Sequence, residues 1–153
     1  MEQEEPEQEQ EQQPEERDDR GRAAPLVRDV LPALAAELVR LLEEEGERDL
    51  AVCARDLRIV ADCGCGDDFC QSFSTESRPP GTAYGPGHRN VQLFPERGYL
   101  ILDVVHGRIM FVEVLDRPEL RPALDAAFAP STAARGAASP GVVGGAEASH
   151  SGP

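Results

Sequence analysis

The sequence contains no lysine and no tryptophan, and only two tyrosines and five phenylalanines among 153 residues. Every basic side chain is an arginine or a histidine. Without a primary side-chain amine there is no Schiff-base chemistry and no P-loop lysine to reach a nucleotide's phosphates. No uncharged apolar stretch approaches the ~20 residues that a membrane span needs, so no membrane partner is expected. The amino-terminal segment is acidic where a secretion signal is basic and then apolar, which points to a cytoplasmic protein. Cationic surface is scarce as well. The formal net charge is −14, which argues against a nucleic-acid partner because phosphate neutralisation requires a basic face.

That charge is unevenly spread. Residues 1–20 hold ten acids against two arginines, a net −8, whereas residues 21–128 hold 18 acids against 12 arginines, a net −6. Residues 1–23 form a Glu/Gln run with almost nothing apolar, and residues 129–153 are mostly Ala, Gly, Ser and Pro, with two valines. Neither segment has enough apolar surface to offset chain entropy, and both are expected to be disordered tails. Between them, residues 24–128 make one domain of ordinary size.

The fold class expected for that domain is α+β: an antiparallel sheet of about five strands with two or three helices. Residues 29–46 carry Val30, Leu31, Leu34, Leu38, Leu41 and Leu42 at helical spacing, with Asp29 as a cap, Pro32 in the first turn and Gly46 as the stop. A short helix is expected over 49–56. At Leu57 the period changes to alternation through Ile59, Ala61 and Cys63, with residues 69–74 returning as a partner strand. Residues 78–89 are loop and 90–94 a short strand. Tyr99–Val105 and Arg108–Leu115 flank His106-Gly107, the signature of a two-residue type I′ hairpin. Residues 116–128 close the domain as a helix. It starts either at an Asp116/Glu119 capping box or near Arg121, with Pro122 as its first residue.

A regular register in the hairpin places Leu100, Leu102, Val104, Ile109, Phe111 and Leu115 on one face. Tyr99, Ile101, Met110, Val112 and Val114 then fall on the other. Both faces are apolar. A helix layer covers one, and the second has to meet something else, another molecule included.

The densest chemistry lies in Cys63-Gly64-Cys65-Gly66-Asp67-Asp68-Phe69-Cys70. Four cysteines (Cys53 is the other) in a reducing compartment read as thiols or metal ligands before disulfides. On extended chain Cys63 and Cys65 point the same way, and Cys70 begins the return, so three sulfurs can converge on zinc. His88, His106, Cys53 and Asp67 are the candidates for a fourth ligand. Against zinc, C-x-C-x4-C is not the paired C-x2-C knuckle, and small thiols packing a tight hairpin are the simpler reading. A cysteine nucleophile is disfavoured, since Asp67 and Asp68 raise a neighbouring thiol's pKa and His88 serves as a base only if its Gly/Pro loop folds back over the hairpin, so no catalytic residue is assigned. In the loop, Tyr84, His88 and Arg89 are residue types that anchor binding. Arg89 suits a carboxylate or phosphate, or else simply pairs with Asp103, Asp67 or Asp68.

The strings CGCGDDFC, GPGHRNV, LILDVVHGRI and VEVLDRPELR together resemble a small group of bacterial proteins of unassigned function, over residues 30–128. That resemblance implies no activity, ligand or site residue. The residues themselves lead to a non-enzymatic protein-binding module of the inhibitor, immunity or adaptor kind. Its expected contact residues are Tyr84, His88, Arg89, Tyr99, Ile101 and Val112, and its partner, though unidentified, is expected to be basic. No cofactor is required. The alternative is a zinc-binding or redox-responsive module built on Cys63, Cys65 and Cys70, with His88 as the further ligand.

Overall fold

A computed structural model describes Arg17 and residues 21–79 and 81–129. The tail segments 1–16, 18–20 and 130–153, on which the expectation of disorder falls, lie outside the described residues. The domain is α+β, with a helical layer on one face of a five-stranded antiparallel sheet.

The first helix is divided. Val27–Val30 forms a single turn (α1), Leu31 leaves the helical region at φ −130° and ψ 64°, and Pro32–Glu44 forms α2. The expected continuous helix capped by Asp29 is therefore corrected. Proline has no N–H to continue a helix and forces its predecessor into extended backbone, so the break falls immediately before it. Leu34, Leu38, Leu41 and Leu42 of α2 are buried, as their spacing requires. Gly46, at φ +78°, ends the helix, with the Glu47 N–H donating to the Leu42 carbonyl. Arg48–Ala54 (α3) then adds Leu50, Ala51 and Ala54 to the same core.

The strands are Ala61–Asp62 (β1), Phe73–Ser74 (β2), His88–Leu93 (β3), Tyr99–Val105 (β4) and Arg108–Leu115 (β5), in the spatial order β1-β2-β5-β4-β3. His106 and Gly107 have φ of +48° and +78°, as a type I′ turn demands. The register beyond the turn is not regular. Val104 pairs with Ile109, but Asp103 pairs with Phe111, leaving Met110 as the extra residue of a β-bulge. Each residue after Met110 consequently changes face. Val112 and Val114 join Leu100, Leu102, Val104 and Ile109 in the buried core, while Met110, Phe111, Glu113 and Leu115 are only half-buried. Val112, expected on the outward face as a contact residue, is 0 % exposed.

Arg117 fastens the end of this sheet. Its backbone N–H donates to Gln71 Oε1, and its guanidinium pairs with Glu37 at 3.0 Å and Glu119 at 2.7 Å. Gly98 makes room for it, since a Cβ there would collide with the Leu115 carbonyl oxygen and the Arg117 side chain. Asp116 sits at φ +56° and caps no helix. A 3-10 turn at Pro118–Leu120 leads into Arg121–Phe128 (α4), with Pro122 in its first turn. Of the two starts expected for the last helix, the one near Arg121 holds, because there the missing proline N–H loses no hydrogen bond.

Candidate functional site

Cys63 follows β1 directly, and its N–H donates to the Ser72 carbonyl at 3.2 Å, extending the β1–β2 ladder by one step. Residues 64–69 then reverse the chain. The loop is shaped by Gly64 and Gly66, at φ +74° and +69°, and by the Asp67 carboxylate accepting from the Phe69 N–H at 2.9 Å. This left-handed backbone is open to glycine and strained for other residues. The returning strand places Cys70 opposite Leu115 in an isolated bridge, and the Arg121 guanidinium at the start of α4 donates to the Cys70 carbonyl.

The outcome is a triad of sulfurs. The Sγ atoms of Cys63, Cys65 and Cys70 all lie within 4.8 Å of one another, two on exposed residues and one on a half-buried residue. Beside them opens a cleft of about 210 Å³ lined by Asp62, Cys65, Asp67, Asp68, Cys70 and Arg121. Burial, reinforced by hydrogen bonding to the thiols of Cys65 and Cys70, pushes the Cys63 thiol up to about 12. At Cys70 burial acts in the same upward direction, but hydrogen bonding with Ser72 and with the thiols of Cys65 and Cys63 outweighs it, and its pKa is lowered. The Cys70 Sγ lies 3.2 Å from the Ser72 hydroxyl oxygen. Three sulfurs this close cannot all ionise without a cation among them, because each thiolate raises the cost of the next.

The fourth ligand expected from His88 does not join them. His88 pairs with Val105 at the hairpin end of β4, whereas Cys70 bridges to Leu115 at the far end of β5. At ~3.4 Å per residue, that is a separation on the order of 20 Å. His88 instead holds Asp103, with Nε2 to Oδ1 at 2.7 Å, and stacks on Tyr84 at a centroid distance of 4.6 Å. Arg78 lies over the other member of that stack, 3.9 Å from the Tyr84 centroid. Cys53 (on α3) and His106 (in the hairpin turn) are likewise outside the cluster. Among the described residues, no other group of three or more His, Cys, Asp or Glu converges in this way. Arg89 pairs with neither Asp103 nor the loop acids. It makes a two-armed bond to Glu47 at 2.6 and 2.9 Å, pinning β3 to the start of α3.

The outward face of the sheet is the second feature. Ile101, Val105, Met110, Phe111 and Leu115 are half-buried there, Tyr99 is 54 % exposed, and Phe94 at the same corner is 65 % exposed. None of them belongs to the core into which the helices pack. The carboxylates of Asp103 and Glu113 stand in this apolar band, and Glu76 holds Arg108 at its rim at 2.6 Å.

Comparison of the chain with protein-family models, with curated proteins and with solved structures gives no match. The functional reading therefore rests on geometry. Sequence inspection missed Arg121 and Ser72, the two residues that tie the third sulfur down. Arg121 arrives from the last helix, and no local pattern announces that contact.

Proposed function

We propose that the domain is a thiolate metal-binding module that holds one zinc ion on Cys63, Cys65 and Cys70. One observation carries this reading: three sulfurs, from the end of β1, the glycine-hinged loop and the returning strand, lie within 4.8 Å of one another. With a Zn–S bond of ~2.3 Å, tetrahedral ligation needs sulfurs about 3.8 Å apart, a contraction that Gly64 and Gly66 permit. The neighbouring carboxylates of Asp67 and Asp68 favour a cation, while Asp62 is paired with Arg121 at 3.9 Å. The cleft leaves the fourth position to water or to one of those carboxylates. In a reducing cytoplasm the thiols remain available as ligands. Among the described residues, no helix is long and apolar enough to cross a membrane.

The test is metal analysis of the full chain, purified reduced, before and after zinc is supplied. About one equivalent bound, together with a rise in thermal stability, supports the reading. No uptake and no stabilisation removes it.

A second reading, docking of a basic protein partner on the outward sheet face, is supported by the apolar band and its two carboxylates in an acidic domain. The bulge turns Val112 and Val114 into the core and brings Phe111 and Leu115 outward in their place, so the apolar band persists. Ile101→Arg, which faces Glu113 across the strands, is expected to weaken binding of such a partner by like-charge repulsion while zinc uptake stays unchanged. Binding to a basic partner unaltered by this substitution removes the docking reading.

A further inference from the structure

We infer that the same three sulfurs form an oxidation-sensitive release device, in which hydrogen peroxide joins Cys65 to Cys70 as a disulfide and the metal leaves. The inference rests on the zinc reading for its consequence, but the disulfide step stands on geometry alone. A disulfide needs two sulfurs brought to ~2.05 Å, and one of the pair must have room to move. Cys70 is the fixed member: it bridges to Leu115, its N–H donates to the Asp67 carbonyl at 3.1 Å, and its own carbonyl accepts from Arg121. Cys65 is the movable one. It is exposed, and the glycines on either side have nothing within 4 Å of where a Cβ would stand. Cys63 is held back by its ladder bond to Ser72. Cys65 and Cys70 both line the cleft, and Cys63 does not. A peroxide entering the cleft therefore meets these two sulfurs first.

The Cys65 thiolate attacks one peroxide oxygen, the O–O bond breaks, and Cys65 becomes a sulfenic acid with release of hydroxide. The Cys70 thiolate then attacks the Cys65 sulfur, the S–O bond breaks, and a second hydroxide leaves as the S–S bond forms. Two protons convert the hydroxides to water. Each of the two sulfurs gives up one electron, and the peroxide takes both. Of three thiolates on a divalent ion only that of Cys63 remains, and one thiolate does not retain zinc against solvent. A thiol reductant reverses the sequence.

The experiment adds hydrogen peroxide to the zinc-loaded full chain while a colorimetric chelator reports free zinc. Thiols are then counted after denaturation. The expected result is one zinc released per disulfide formed. The thiol count falls from the four of Cys53, Cys63, Cys65 and Cys70 to two, and both changes reverse on reduction. Cleavage at Asp62, Asp67 and Asp68 separates Cys70 from a peptide that holds both Cys63 and Cys65, so free thiols are alkylated first and fragmentation of the linked peptide locates the bonded sulfur. Cys63→Ser is expected to form the disulfide still, and Cys65→Ser to form none. Zinc retained with four thiols, at a peroxide dose that oxidises a free cysteine peptide, overturns the inference. So does a disulfide that persists in Cys65→Ser. If the chain never takes up zinc yet forms the Cys65–Cys70 bond, the metal reading has failed and the redox step has not.

Discussion

Cys70 is paired with Leu115 at the far end of β5, so the third sulfur of the cluster is placed by the strand that forms the core and not by the loop between β1 and β2. Val114, the neighbour of Leu115, donates its N–H to Ser72 Oγ at 2.9 Å, and the same hydroxyl lies 3.2 Å from the Cys70 sulfur. The sulfur cluster is thereby tied to the folded sheet. On the proposed zinc reading, metal binding and folding stabilise each other through this contact.

Cys70→Ser tests that coupling. Serine keeps the backbone bridge and the volume but loses the soft ligand, so the metal-free protein is expected to keep its stability within about 1 kcal/mol, as an exchange of one small half-buried side chain should. The stabilisation by zinc is expected to disappear. Thermal melts with and without zinc check this. A zinc-dependent rise in melting temperature that persists in the variant contradicts it.

Metal affinity should strengthen with pH. The Cys63 thiol, pushed up to about 12, is protonated in the metal-free protein throughout the neutral range, so binding must displace at least one proton. Each displaced proton gives about a tenfold gain in affinity per pH unit. Titrations with Co²⁺ as the spectroscopic probe between pH 6 and 8 are expected to show at least that slope. A flat profile would mean that Cys63 is not a ligand.

Deletion of Met110 tests the bulge. In the observed register Met110 is the unpaired residue, and its removal restores simple alternation while Val112 and Val114 stay on the core side. The deletion variant is therefore expected to fold, with a stability change of about 1–2 kcal/mol. Under a bulge-free register the same deletion would turn every residue from 111 to 115 to the wrong face and unfold the protein. Circular dichroism and urea denaturation distinguish the two.

Arg117 links α2, the sheet and the last turn, and its removal leaves Glu37 half-buried without its cation. Arg117→Ala is expected to cost about 2–4 kcal/mol at pH 7, measured by urea denaturation. Acid should act on the same contact. The Glu119 carboxyl is held below the usual range by its hydrogen bond from Arg117, and Glu47 likewise by its bond from Arg89. A carboxyl with a depressed folded pKa stabilises the fold above its unfolded value of about 4.3, and that contribution is lost as pH falls through the folded value. Stability should thus be level above about pH 5 and decline below about pH 4, less steeply in Arg117→Ala. An identical acid limb in the variant would contradict the role given to this pair.

What could be read in the sequence follows from how locally each feature is determined. The leucine stripe of α2, the Gly46 stop and the His106-Gly107 turn depend on spacing and on backbone preference within a few residues, and each stands where expected. The convergence of Cys63, Cys65 and Cys70 was legible for the same reason, since one tight reversal brings them together. The bulge at Met110 was not legible. An inserted residue leaves the apolar alternation ambiguous, and only the packing of Val112 and Val114 against the helices selects the register. Nor could the separation of His88 from the cysteines be read, because it depends on the order β1-β2-β5-β4-β3, which sets them at opposite edges and opposite ends of the sheet. Arg89 found Glu47 at a sequence distance of 42 residues, a pairing that topology alone decides.

The most direct measurement is native mass spectrometry of the full chain after zinc loading and desalting, alongside the Cys63→Ser/Cys65→Ser/Cys70→Ser triple variant. The account predicts one zinc per chain in the natural protein and none in the variant, with both folded by circular dichroism. Equal zinc in the two proteins, or none in either, would contradict it.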